Sequence, residues 1–213
     1  MPRRPRVTPE QILDAATREF AERGFAGARV DRIARRAGVN KAMLYYHFRS
    51  KQTLYRRLLR RAFSQAGARI QRIADSDAPP FEQLDRVVAL FADLIGEQRF
   101  FPAIMLREVA EGGAHLDVET LGLLAAVPGA FGRIVARGIA AGEFRDVNPL
   151  FAYFSMMSPI VFFLCAAPIR RELGARRLAS PDIRNVAAFV SHVQANMRRV
   201  LAPDGAAGPR STT

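Results

Sequence analysis

Apolar residues return along most of this chain at intervals of three and four, the period of a helix with one buried face, and no convincing stretch alternates with the two-residue period of a strand. Ile12, Ala16 and Phe20 begin the first such series, which runs to Gly24. Ahead of it, Thr8, Pro9 and Gln11 supply an N-cap, a proline at the first helical position and a capping-box partner. The spacing predicts a second short helix over 31–37, a turn at Gly38 and Val39, a third helix capped by Asn40 and a fourth capped by Ser50. Leu54, Leu58 and Ala62, flanked by Tyr55, Leu59, Phe63, Ile70 and Ile73, keep that fourth helix going to residue 74 with no flexible linker.

After SDAPP at 76–80 the pattern predicts helices near 81–98, 102–111, 119–142, 149–165 and 182–201, an all-α chain. Pro128 with Gly129 is expected to kink or split the 119–142 element. Asn148 with Pro149, and Ser180 with Pro181, repeat the cap-then-proline start. Ile183, Val186, Val190, Val193, Met197 and Val200 form a narrow seam of coiled-coil type, which either closes an internal contact or, the preferred reading, meets a second subunit. The stretch LFAYFSMMSPIVFFLCAA at 150–167 is of borderline length for a bilayer span. Pro159, Ser155, Ser158 and a basic flank only at Arg170 and Arg171 favour a helix buried in a bundle, with no membrane partner.

Charge changes this picture. Residues 1–61 carry 16 Lys+Arg against 5 Asp+Glu, whereas residues 62–213 carry 16 against 15, so nearly all of the formal +12 lies in the first quarter. Arginine dominates, but a mere preference for it would raise charge everywhere, and the later part stays neutral. A basic module followed by a neutral body points to a polyanion for the first and a different task for the second. The lone Cys165 lies in an apolar run and reads as a buried, inert thiol in a reducing, cytoplasmic setting. MPRRPR followed by VTPEQ lacks the apolar core of a secretory signal.

Two short helices joined by a glycine turn form a helix-turn-helix, whose second member can lie in the major groove of DNA. Ile33 and Ala37 face one way on the first, and Ala34 is small enough for close crossing. Leu44 and Phe48, four apart, turn inward with Val39 and leave Lys41, Ala42, Tyr45 and Tyr46 outside. That outer face is short, cationic and aromatic.

The sequence closely resembles the TetR family of bacterial transcriptional regulators. GxxxxxVDRIARRAGV at 24–39 and NKAMLYYHFRSKQTLY at 40–55 carry the resemblance, with L-Y-x-H-F-x-S-K its most specific part, over roughly residues 8–60. It implies an N-terminal three-helix DNA-binding domain joined by a long helix to a C-terminal helical domain for effector binding and dimerisation. The domains expected are a basic disordered arm over 1–7, a helix-turn-helix domain over 8–60, a ligand-binding and dimerisation domain over 61–202 and a disordered tail over 203–213. The resemblance implies that Lys41, Ala42, Met43, Tyr45 and Tyr46 face bases or sugars and that His47 and Lys51 contact phosphate, with Tyr45 shared between the roles; Asn40, at the start of that helix, is a further DNA-binding candidate. Arg29 and Val30 stand where the family usually has Ser or Thr, so Arg29 either supplies a charge-assisted phosphate contact instead or points into solvent, and it ranks below Lys51. Met43 replaces a frequent small hydroxyl residue, which leaves the operator sequence open.

The resemblance further implies a homodimer on a pseudo-palindromic operator and a small-molecule effector held between residues 80 and 165. Phe91, Phe101, Met105, Phe131, Tyr153, Phe154 and Met157 are candidates to line that pocket, with Arg107, Glu108 and His115 as polar contacts and a small apolar or aromatic molecule as the ligand. For each of these the competing reading is plain core. Tyr46 has a packing alternative too, the arginines at 56, 57, 60 and 61 read as a solvated helix face, and the RRPR arm either reaches a groove or raises non-specific affinity. A sequence-neutral DNA binder is the rival function. An enzyme is disfavoured, because there is no nucleophile elbow, phosphate loop or cofactor signature. No metal site is expected, since His47, His115 and His192 are scattered.

Overall fold

The computed structural model describes residues 8–98, 100–180 and 184–203, and these are mainly helical, with no strand among them. The expected basic arm over 1–7, Pro181, Ile183 of the seam and the tail from 204 lie outside the described residues. The helices are α1 (Pro9–Gly27), α2 (Val30–Ala37), α3 (Lys41–Phe48), α4 (Lys51–Ala74), α5 (Pro80–Glu97), α6 (Phe101–Ala110), α7 (Val118–Ala140), α8 (Pro149–Cys165), α9 (Ala167–Ala175) and α10 (Val186–Leu201).

Side chains set the helix starts where the sequence placed them. Thr8 and Gln11 form a reciprocal capping box at α1, Asn40 accepts the Met43 amide at 2.7 Å, and the Ser50 hydroxyl accepts the Thr53 amide at 3.0 Å. Asn148 caps α8 through the amides of Leu150 and Phe151. Gly24 leaves the helical region at φ 68°, ψ 177°, and α1 resumes for one short turn beyond it.

Three expectations need correction. The last helix starts at Val186 and is capped by Asn185, which accepts the Ala188 amide, rather than by Ser180. Pro128 does not split α7, which is continuous from Val118 to Ala140. The 150–167 stretch is not apolar-buried on all sides: Ala152, Tyr153, Met156 and Ile160 are buried, while Phe151, Phe154 and Phe162 are exposed. α9, which follows it at a 53° bend, was not foreseen. Among the described helices α7 alone has the length and apolarity of a bilayer span, and Val127, Ala130, Phe131, Ile134 and Val135 on it belong to a protein core.

The helices pack as two compact units. The first comprises residues up to Gln65 together with Gln98–Leu124. Its core holds Ile12, Ala16 and Phe20 of α1, Ile33 and Ala34 of α2, Leu44 and Phe48 of α3, Leu54, Leu58 and Leu59 of α4 and Ile104 of α6. The sequence reading assigned α6 to the later domain, but α1 packs against both α2 and α6. Of the four arginines expected to form a solvated face of α4, Arg57 is exposed, whereas Arg56, Arg60 and Arg61 are bound to carboxylates. Arg61 pairs with Asp14 at 2.7 Å, and Arg56 and Arg60 reach Asp117 at 3.4 and 2.5 Å. Asp117 also caps α7 by accepting the Thr120 hydroxyl at 2.6 Å and its amide at 3.0 Å; these bonds, reinforced by the two arginines, hold its pKa down at about 2.

The second unit contains Ala66–Glu97 and the chain from Ala125 onward. There α5, α8 and α10 pack on one another around Leu84, Val87, Val88, Phe91, Phe131, Tyr153, Met156, Val193, Met197 and Leu201. Val193 and Met197 are thus committed to the chain's own core, and the seam of α10 offers a partner only its remaining positions, of which Val186 and Val200 are exposed. On α7, Gly138 lies against the Phe144 ring so closely that an added Cβ would collide with it. Gly138→Ala is expected to overpack this unit and lower stability by about 1–3 kcal/mol in urea unfolding.

Candidate nucleic-acid interface

The eight residues of α2 and of α3 are joined through Gly38 at φ 70°, a left-handed conformation that a side chain would strain, and Val39 and Asn40. The Gly38 and Val39 amides close the end of α2 on the carbonyls of Arg35 and Ala34. From there α3 docks through Leu44 and Phe48, both fully buried, which contribute about 1.5–3 kcal/mol each by apolar burial. Arg57 of α4 lays its guanidinium 5.7 Å from the Phe48 ring centre.

With those two side chains inside, the rest of α3 faces outward. Lys41, Ala42, Met43, Tyr45 and Tyr46 are exposed, Tyr46 at 84%. His47 is half-buried with its ring edge-on to Tyr46, centres 5.3 Å apart. Lys41 pairs with Asp31 of α2 at 3.0 Å, a bond that raises its pKa. Arg29 holds the N-cap position of α2 without a side-chain cap bond, and its side chain is exposed. The α2 end is served from α1 instead: the buried Glu19 carboxylate accepts the Arg29 amide at 3.5 Å and lies 3.9 Å from the Arg32 guanidinium.

Lys51 is placed differently from its neighbours. Its ammonium donates to the carbonyls of Phe25 (2.8 Å), Ala28 (3.2 Å) and Ala26 (3.5 Å) and sits 4.6 Å from the Phe25 ring centre. A lysine has three donors, and here all are directed at the turn between α1 and α2. Two exposed cations absent from the expected set are Arg35, in the last turn of α2, and Arg49, the C-cap of α3. Arg49 adopts φ 58°, ψ −44° between α3 and α4, a left-handed backbone that no sequence signal for a glycine had announced.

The effector candidates do not form one group. Phe101, Met105, Arg107, Glu108 and His115 belong to the first unit, whereas Phe91, Phe131, Tyr153, Phe154 and Met157 belong to the second. In the first, Phe101 packs edge-on against Phe63, and Glu108 is buried beside Tyr55 and His115. In the second, Tyr153 stands edge-on to Phe91, Phe131 and Phe154, with ring centres 6.0, 5.9 and 5.5 Å away, and Met157 packs on the same core. Burial in that core pushes the Tyr153 phenol up beyond its ordinary range.

A glycine-turned pair of short helices with an exposed aromatic and cationic face, ahead of a helical body, defines a helix-turn-helix regulator. The comparisons agree. Residues 12–58 match the model of bacterial regulatory proteins of the tetR family, and residues 80–194 match a tetracyclin repressor-like C-terminal domain. The transcriptional repressor NicS of Pseudomonas putida is 30% identical over 162 residues, 73% of this chain and 74% of that protein. The transcriptional regulator RutR of Escherichia coli is 26% identical over 157 residues, 74% of each chain. Among solved structures, FadR from Bacillus subtilis in complex with stearoyl-CoA has a TM-score of 0.71 at 19% identity, covering 91% of this chain and 99% of its own. PfmR from Thermus thermophilus, a TetR family transcriptional regulator, has a TM-score of 0.67 at 24% identity, covering 88% and 95%. The chain belongs to the TetR family of bacterial transcriptional regulators.

Removing the Lys51 ammonium strands the carbonyls it serves. Lys51→Ala is expected to cost about 1–3 kcal/mol in chemical denaturation, in addition to any loss of DNA affinity.

Proposed function

We propose that this regulator acts as a homodimeric repressor on a two-fold operator and is released by an apolar or aromatic effector bound in its second unit. The observation that carries the operator reading is the free face of α3. Tyr46 projects into solvent where a core aromatic would be covered, Ala42 allows close approach to a base edge, and Lys41 supplies a donor beside it. Arg29, Arg35 and Arg49 are exposed cations of the same unit, and they, with His47 and the Asn40 end of α3, serve as the phosphate-contacting set. Lys51 acts on DNA through the turn it holds as much as by direct contact.

Dimerisation uses the apolar stripe left outside α8, formed by Phe151, Phe154 and Phe162, with Val186 and Val200 of α10. A two-fold dimer places its two recognition helices on half-sites about 10 base pairs apart, or near a multiple of that spacing. The effector site draws on Phe91, Phe131, Tyr153 and Met157, whose apolar and aromatic character sets the ligand class. The continuous α4, which leaves the first unit and enters the second, is the element through which occupancy changes operator affinity.

The operator test is selection of bound fragments from the source genome, followed by competition with unrelated duplex at matched salt. The selected fragment is expected to out-compete unrelated DNA strongly; equal competition rejects operator recognition in favour of sequence-neutral binding. Tyr46→Ala should leave the unfolding midpoint nearly unchanged and alter preference among sequences by about 1–3 kcal/mol. With operator bound, a panel of aromatic acids, long-chain alcohols and stearoyl-CoA should include a member that weakens binding by a coupling of about 1–3 kcal/mol; a flat panel removes the effector and keeps the DNA interface. Phe162→Glu is expected to convert the dimer to a folded monomer in sedimentation equilibrium, and a persistent dimer would place the subunit contact elsewhere.

A further inference from the structure

Within the first unit, the end of α6 gathers three ligating side chains that the operator and effector readings leave without a joint role. Glu108 and Glu111 lie one helical turn apart. Beyond them Gly112 and Gly113, at φ 67° and 74°, reverse the chain, and the Gly113 amide closes the turn on the Glu108 carbonyl at 2.8 Å. This brings His115 back over α6, with its Nδ1 2.7 Å from Glu108 Oε1 and 3.5 Å from Glu111 Oε2. One donor atom from each residue falls within 4.8 Å of the others.

Glu108 is the unusual member. It is only 1% exposed, and its Oε1 already takes the Tyr55 hydroxyl at 2.9 Å as well as the imidazole. Its Oε2 is buried and has no hydrogen-bond partner. A buried carboxylate oxygen left without a donor is costly, and a cation bound by the carboxylate offsets that cost.

We propose that Glu108, Glu111 and His115 bind one divalent transition-metal ion of the zinc class. One imidazole and two carboxylates suit zinc, which takes nitrogen and oxygen at about 2.0–2.2 Å and keeps a fourth position for water, whereas magnesium and calcium favour all-oxygen shells of six or more. Binding the ion exchanges the Nδ1 hydrogen bond to Glu108 for coordination through the Nδ1 lone pair, which places the imidazole proton on Nε2. The charge of the ion cancels those of the two carboxylates. Tyr55, from α4, orients the Glu108 carboxylate by donating to it, and the His115 ring is held in place by Phe25, whose centre is 4.0 Å away, and by the Arg56 bond to its carbonyl. Phe25 and Tyr55 sit in the same packed unit as α3, so the ion would fasten the end of α6 to the helices that seat the recognition helix. This site stands independently of the operator and effector readings.

Tag-free protein freed of metal by chelator and titrated with zinc chloride in a calorimeter tests it, with far-UV circular dichroism of every variant as the control for folding. One zinc per chain is expected, with affinity lowered at least tenfold in Glu111→Gln and in His115→Asn and unchanged in His192→Ala. Tyr55→Phe, which keeps all three ligands, should weaken binding by about 10- to 100-fold. X-ray absorption at the zinc edge should show one imidazole and no sulfur. Absence of stoichiometric uptake, a sulfur ligand from Cys165, or full uptake by folded Glu111→Gln and His115→Asn would overturn the assignment.

Discussion

Eight residues are too few to hold a helix in water unaided, so α3 exists because Leu44 and Phe48 are buried by its neighbours. These two side chains fix both its existence and its roll about its own axis. Once they point inward, the helical period turns Lys41, Ala42, Tyr45 and Tyr46 outward without further instruction. The seat itself is braced by polar contacts. Glu19 of α1 takes up the start of α2, and Lys51 of α4 binds the three carbonyls where α1 gives way to α2. α3 is thereby held between elements that are locked to each other, and whatever it recognises meets a preorganised surface.

Net charge and available charge differ in this protein. The first 61 residues carry a large basic excess, yet Arg36 is forked onto Glu22, Arg61 onto Asp14, and Arg56 and Arg60 onto Asp117. Those arginines support the fold. Arg29, Arg35 and Arg49 have exposed side chains, and these have no carboxylate partner among the described contacts.

The same distinction between pattern and partner explains the effector candidates. Helical spacing marks which residues turn inward, and nearly all the candidates do turn inward, but it carries no information about which core each enters. Phe101 and Phe131 look alike in sequence; one packs with the DNA-binding helices and the other with α8. The Glu108, Glu111 and His115 group was invisible for a related reason. Two of its members share a helix face, but the third arrives only through a glycine turn whose direction the sequence does not give.

The sequence by itself determined the helical class, most helix starts and the two-residue docking of α3, because caps, prolines and periodicity act over a few residues and need no distant partner. It could not determine that Pro128 leaves α7 unbroken, that Val193 and Met197 close the chain's own core, or that Arg49 takes a left-handed backbone. Nor could it show that α6 packs with α1, or that Lys51 spends its donors on carbonyls more than twenty residues away. The closing of the core by Val193 and Met197, the packing of α6 on α1 and the bonds of Lys51 join segments far apart along the chain, and only folding brings such segments within reach of one another.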